Sequence, residues 1–442
     1  MRSRSNKPRG EPREARIESL DHEGRGIARL DGKAVFIEGA LPGERVVWQA
    51  TRIKPSFEEG EARRVLKESP DRVAPGCDFF GLCGGCAMQH ASPALQLAAK
   101  QRVLEDNLAR IGKVEPEQIL PPISGSPWGY RHRARLSVHH VPKKGGVLVG
   151  FRERKSSYVA DMASCEVLPR HIGHLISPLR ELMTSLDGRE RIPQIEVAIG
   201  AGVTVLVLRV LEPLSQADED RLRIFADAHR IQWWQQPKGP DTAVAWYPLG
   251  APPLTYRLPE FNLELAFRPT EFTQVNHEVN ERMVKRAVDL LDPRQDEAVV
   301  DLFCGLGNFS LAIARRGAHV VGVEGSEALV KRAGENAARN GLSDHARFFS
   351  ADLYTDPARA VASLPKAGKW LIDPPRDGAV EVCKLVDADT VKRIVYVSCS
   401  PSTLARDAEV LVQTKGYRLR AAGVVNMFPH TAHVESIALF EQ

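Results

Sequence analysis

Three stretches of this chain end an apolar run on a side chain that can do chemistry. In Arg393-Ile394-Val395-Tyr396-Val397-Ser398-Cys399-Ser400-Pro401 a β-branched run closes on a thiol, and Pro401 cannot extend a strand ladder. In Ala298-Val299-Val300-Asp301-Leu302-Phe303 the run opens into Cys304-Gly305-Leu306-Gly307-Asn308. In Trp370-Leu371-Ile372 it opens into Asp373-Pro374-Pro375-Arg376. Ligands of open α/β sheets gather beyond the carboxyl ends of the strands, so a glycine turn, a carboxylate and a thiol would share one crevice. A lone cysteine after an apolar run is ordinarily a small buried hydrophobe; the two companions favour a nucleophile.

A second group of thiols lies far from the first. Cys77, Cys83 and Cys86 fall within ten residues around Gly81, Gly84 and Gly85, and Cys165 follows downstream. Soft thiolates at that spacing suit a metal centre, and zinc and an iron–sulfur cluster both accept four cysteines.

These residues need a scaffold. At 442 residues the chain exceeds one ordinary core, and a net charge of +4 leaves function open. No apolar run reaches membrane-spanning length and the basic N-terminus lacks a signal-peptide core, so a cytoplasmic protein with no membrane partner and no obligate protein partner is expected. Seven cysteines then read as thiols or ligands rather than disulfides.

Residues 1–12 read as a basic disordered arm and 13–70 as short strands with Asp-Gly and Pro-Gly turns, suggesting a small closed β-barrel. Ser92-Pro93 opens a helix that ends near Gly112, with Leu97, Leu104, Leu108 and Ile111 on one face. That helix and the linker to 126 are expected to pack on the catalytic domain. From Trp128 to Tyr158 the cations Arg131, Arg133, Arg135, Lys143, Lys144, Arg152, Arg154 and Lys155 face the single acid Glu153, with aromatic residues between them. A hairpin tipped by Lys143-Lys144-Gly145-Gly146 would turn them into one cationic face suited to looped RNA. A solvated hairpin is the bland alternative.

The order of elements after Phe272 resembles a class I S-adenosylmethionine-dependent methyltransferase: a Gly-x-Gly turn after one strand, then His319–Val323 ending on Glu324, an acid able to accept from ribose hydroxyls. One phosphate-type turn suits a nucleoside better than a dinucleotide, which disfavours a dehydrogenase.

Gln274-Val275-Asn276, Asp301-x-Phe303-Cys304-Gly305-x-Gly307, Asp373-Pro374-Pro375-Arg376, Ser398-Cys399-Ser400-Pro401 and Pro429-His430-Thr431-Ala432-His433-Val434-Glu435 together resemble the RNA uracil-C5 methyltransferase family. The barrel region resembles the TRAM domain, and barrel plus cysteine cluster point to the branch acting on 23S ribosomal RNA. The resemblance implies an α/β protein in which a class I, Rossmann-like methyltransferase domain (267–442) follows an OB-like TRAM barrel and a small α/β iron–sulfur domain (71–91 and 127–266). It implies Cys399 as nucleophile and Glu435 as base. It implies donor contacts from Gln274, Phe303, Asn308, Glu324, Asp352 and Asp373, and a [4Fe-4S] cluster on Cys77, Cys83, Cys86 and Cys165. His430 and His433 are rival bases. The alternatives are the same chemistry on another ribosomal or transfer RNA uridine, a cytosine-C5 enzyme (disfavoured because Asp373-Pro374-Pro375-Arg376 lacks a second cysteine), an amino-methyltransferase, and an inactive RNA-binding protein with a metal-stabilised core.

Overall fold

The computed structural model describes residues 9–442, which divide into two units. Most of the basic arm lies outside the described residues, and its end is already strand: β1 runs Arg9–Arg16.

The first unit takes the chain to Val103 together with Phe151–Ala160 and Phe428–His433. Its sheet adds β2 (Ser19–Leu20), β3 (Gly26–Leu30), β4 (Lys33–Glu38), β5 (Arg45–Ile53) and β6 (Phe57–Lys67), ordered β1-β5-β6-β4-β3-β2. β1 and β2 are parted only by Ile17 and Glu18, whose N–H groups donate to the Glu44 and Ile27 carbonyls at 2.9 and 2.8 Å, so one stretch of chain pairs with β5 at one edge of the sheet and with β3 at the other and closes the expected barrel around a core of Ile17, Val35, Ile37, Val46 and Trp48. Alternation of buried and half-buried residues along β5 sets its register, because one face packs and the other meets water. Gly60 is required there: a Cβ would lie 2.4 Å from the Gln49 carbonyl oxygen and against the Trp48 ring.

A helix spans Pro93–Asn107 and passes into a π-helical turn, Leu108–Gly112. Ser92 Oγ caps it by accepting the Leu95 N–H at 3.1 Å. Leu104 and Leu108 are buried as expected, but Ile111 is 43% exposed. The wider π-turn rotates it off the stripe.

The second unit holds β7 (Gln118–Ile119) and a six-stranded sheet made of β8 (Arg133–Val141), β9 (Gly146–Gly150), β10 (Gln194–Ile199), β11 (Thr204–Arg209), β12 (Gln232–Gln236) and β13 (Val244–Tyr247). The hairpin β14 (Leu254–Leu258) and β15 (Leu263–Phe267) follows. The remaining strands are β16 (Ala298–Leu302), β17 (His319–Glu324), β18 (Ala346–Ser350), β19 (Lys369–Ile372), β20 (Arg393–Ser398), β21 (Arg418–Val425) and β22 (Glu435–Glu441). With β7 they form a sheet ordered β18-β17-β16-β19-β20-β22-β21-β7. Strands β16 to β20 pair in parallel, whereas β22 lies antiparallel between β20 and β21. The parallel strands read as unbroken apolar runs because helices cover both faces.

Four of the eight cations expected on one face have acidic partners, and a fifth is held by carbonyls. Arg133 is buried and donates to the carbonyls of Glu271 and, at 2.7 Å, Pro269. Arg135 pairs with Glu196 at 2.9 Å and Lys144 with Asp161 at 3.3 Å, while in the first unit Arg154 and Lys155 both pair with Glu38. Acids distant in sequence thus partner Arg135, Lys144, Arg154 and Lys155, and the segment is divided between the two units.

Candidate active site

The position of Cys399 follows from two ladders. Strand β20 pairs in parallel with β19, Ile372 opposite Tyr396, so Asp373 leaves the sheet beside Val397. It pairs antiparallel with β22, Ser398 opposite Ser436, so the next step of the ladder sets Cys399 against Glu435. Both carboxylates act on the thiol. Burial first, then Glu435 and Asp373, push the Cys399 thiol up to about 11, with Arg376 pulling the other way. Asp373 is itself raised to about 8, chiefly by burial and then by Asp301.

A thiol so raised gives a testable profile. The thiolate fraction rises about tenfold per pH unit below the pKa, so adduct formation by Cys399 should climb steeply from pH 7 to 9. Rapid-quench measurement of the enzyme–RNA adduct reads this directly. A flat profile would mean that the thiol is already ionised at neutral pH.

The support beneath Cys399 was not read from the sequence. Asp407, fully buried on the helix Pro401–Glu409, accepts the Tyr396 hydroxyl at 2.6 Å, the Ala379 N–H at 2.6 Å and Arg406 Nε at 2.9 Å. Arg406 also donates to the Asp377 carbonyl at 2.7 Å, and Thr403 Oγ1 to that of Arg376 at 3.2 Å. One buried carboxylate therefore ties β20, the helix after the thiol and the Asp373–Gly378 loop together. The only hint was its place in the helix following Pro401.

At the donor end, Phe303 sits in the left-handed region with φ of 64°, a conformation costly for a non-glycine residue. Gly305 and Gly307 follow with φ of 54° and 95°. Glu324 takes the Gly305 N–H at 3.1 Å on Oε2 and the Ser326 N–H at 3.0 Å on Oε1. A carboxylate has about four lone-pair directions, so both oxygens can still accept from a ribose. No atom lies within 4 Å of where a Gly305 Cβ would stand, which leaves an open cradle beside Glu324. The Phe303 ring lies 5.6 Å from that of Tyr354, whose hydroxyl donates to the Gly378 carbonyl at 3.1 Å.

Two expected donor residues have other work. Asn308 and Asn280 exchange amide hydrogen bonds of 2.9 and 3.0 Å, and Asn308 Oδ1 also accepts the Tyr256 hydroxyl at 2.9 Å. Asp352 closes its own turn, accepting from the N–H groups of Tyr354 and Thr355, each at 2.8 Å, and from the Thr355 hydroxyl at 2.6 Å. Gln274 is half-buried just ahead of the helix His277–Leu291, which Asn276 caps through the Val279 N–H. Asp301, raised to about 7 mainly by burial, is held by the Ser310 hydroxyl behind the glycine turn.

The four cysteines of the expected cluster are divided between the two units. Cys77, Cys83 and Cys86 are half-buried in the first unit, and Cys83 is raised by burial first and by the charge of Cys77. Cys165 is buried in the second unit, its N–H donating to the Gly173 carbonyl at 3.2 Å. Among the described residues no three His, Cys, Asp or Glu side chains are arranged to hold a metal ion.

The family model for tRNA (Uracil-5-)-methyltransferase matches residues 257–442, and that for the TRAM domain matches 7–62. The 23S rRNA (uracil(1939)-C(5))-methyltransferase RlmD of Dechloromonas aromatica is 58% identical over 96% of this chain and 99% of its own. The protein of that name from Thiobacillus denitrificans is 60% identical with the same coverage. The chain belongs to the RNA uracil-C5 methyltransferases. Within that family, the Pyrococcus abyssi tRNA (uracil-54, C5)-methyltransferase, solved with S-adenosyl-L-homocysteine, shares the fold: its TM-score is 0.72 at 23% identity, over 97% of this chain and 100% of that one. The uracil-C5 methyltransferase match begins inside β14, so the β14–β15 hairpin falls on its side of the chain. No helix among the described residues is long and apolar enough to cross a membrane.

Proposed function

We propose that this chain transfers the methyl group of S-adenosylmethionine to C5 of a uridine in 23S ribosomal RNA, the one numbered 1939 in the names of its relatives. The observation that carries the mechanism is the antiparallel register that sets Cys399 against Glu435 at the mouth of the sheet.

Uracil C5 is a poor nucleophile until C6 is attacked. The Cys399 thiolate forms a bond to C6, and the C5–C6 π pair moves into an enolate that makes C5 nucleophilic. S-adenosylmethionine, when bound, would supply the electrophilic methyl carbon, the pair of the breaking C–S bond staying on its sulfur as a neutral thioether. Glu435 then takes the C5 proton, the π bond re-forms, and the sulfur departs. Glu324, Phe303, Gly305 and the half-exposed Gln274 are the groups we assign to holding the donor, with Asn308 fixing the shape of the loop. Asp373, at the exit of the neighbouring strand, is assigned to the donor as well. The target base must leave its stack to reach this crevice, so a looped RNA suits it. Exposed Arg152 and Tyr158, in the unit that carries the TRAM sheet, are suitable groups to touch that RNA.

The test is to map where an adduct forms. Incubated with total RNA and donor, the Glu435→Gln enzyme should stop reverse transcription at one uridine of 23S RNA. A stop in transfer RNA would overturn the substrate.

We further infer that Cys77, Cys83 and Cys86, with Cys165 as the fourth thiolate, hold a [4Fe-4S] cluster in a central domain of 71–91 and 127–266. The spacing and the nearness of Cys77 to Cys83 support this, and assembly would draw the remaining sulfurs in. Methyl transfer moves no electron, so the role is structural. Protein purified without oxygen should be brown and release acid-labile sulfide; a colourless protein holding one zinc would refute the cluster and leave the methyltransferase reading intact.

A further inference from the structure

Residues 428–433 interrupt the second unit just before β22 and pack within the first. His430 is their centre. It is 4% exposed, with φ of 64°, and its N–H donates to Gln96 Oε1 at 2.8 Å. Its carbonyl accepts the N–H groups of Ala87 at 2.8 Å and Met88 at 2.9 Å, the two residues after Cys86. Gln96 Nε2 meets His430 Nδ1 at 3.2 Å and is anchored on the carbonyls of Ala91 at 2.9 Å and Met88 at 3.1 Å. One helical turn on, Lys100 Nζ donates to the Phe428 carbonyl at 2.8 Å. Gln96 and Lys100 are each 2–3% exposed or less, and such residues are rarely buried without a fixed partner.

We infer that Gln96, with Lys100, is a positioning residue for the general base: it locks the backbone at 428–430 so that the chain enters β22 with Glu435 held at one place. Four residues lie between His430 and Glu435. A base must come within hydrogen-bond reach of the C5 proton, and a shift of about 1 Å can cost about a hundredfold. The His430 imidazole is part of the lock, its Nδ1 engaged by Gln96. This inference rests on the roles proposed for Cys399 and Glu435.

The experiment follows one turnover with methyl-labelled donor, scoring covalent adduct and released methylated RNA separately. In Gln96→Ala, adduct formation should stay within about threefold of the unsubstituted enzyme while release slows by at least about tenfold, so methylated adduct accumulates. His430→Gly and His430→Ala both lack the imidazole, but only glycine accepts the left-handed backbone without strain, so the glycine enzyme should release faster than the alanine one. Equal release from the two, or a Gln96→Ala enzyme in which both steps fall together or neither changes, overturns the inference. If Glu435→Gln in the same assay gives no adduct, the parent reading fails instead. Should Gln96→Ala not fold, Lys100→Met reads the same release step.

Discussion

Cys399→Ala should abolish methyl transfer, lowering turnover by about 10⁴-fold or more, while the protein still binds donor and RNA. The loss should be this deep because neither of the other cysteines near the sheet can substitute. Cys304 and Cys383 are fully buried, and burial holds both thiols well above their usual range. Cys399 is half-buried at a strand exit, so the smaller side chain leaves no sealed cavity and little stability should be lost. A denaturing gel of enzyme mixed with RNA and donor, read beside a nucleoside digest, is sufficient. Full activity without the thiol would point to methylation of an amino group, and 5-methylcytidine in the digest would move the target to cytosine.

Glu435→Gln should separate the two halves of the reaction. The amide keeps the shape of the buried side chain but cannot take a proton, so release should fall by about 10²- to 10⁴-fold. The first half should behave in the opposite sense. Glu435 is the largest charge raising the Cys399 thiol, and removing it makes the thiolate easier to form. At pH 7 the Glu435→Gln enzyme should therefore form its adduct at least as fast as the unsubstituted one, then hold it. Mass spectrometry of the trapped species should find the RNA nucleotide, the added methyl group and the sulfur link together. Unimpaired turnover, or an adduct that never forms, would remove Glu435 from the role of base.

The thiol was legible because a strand and its exit are local: Ile394–Ser398 is apolar and Pro401 stops it. Glu435 was legible only through the family motif, since no spacing rule shows that a strand of the last eight residues inserts antiparallel beside β20. Gly26–Leu30 as a strand, Ser92-Pro93 as a helix start and the Lys143–Gly146 hairpin tip were equally local and equally readable. What the sequence hid was partnership at long range. Glu38 neutralises Arg154 and Lys155, and Asp407 binds Tyr396; nothing in a linear string joins them. The hydrogen bonds of Asn308 to Asn280, and of Asp352 to its own turn, were equally out of view. Gln96 and Lys100 carry no sequence signal for burial, yet each is 2% exposed.

The interleaving of Phe428–His433 with the N-terminal unit bears on how such enzymes can be recombined. A crossover placed in the helix after Val103 looks like a clean joint between modules. It would exchange Gln96 and Lys100 without the backbone they hold, and a chimera between two relatives would keep its fold and methylate yet stall on its own product. Moving residues 1–103 together with 151–160 and 428–433 transfers the lock intact, so the natural cassette is three pieces of chain rather than one.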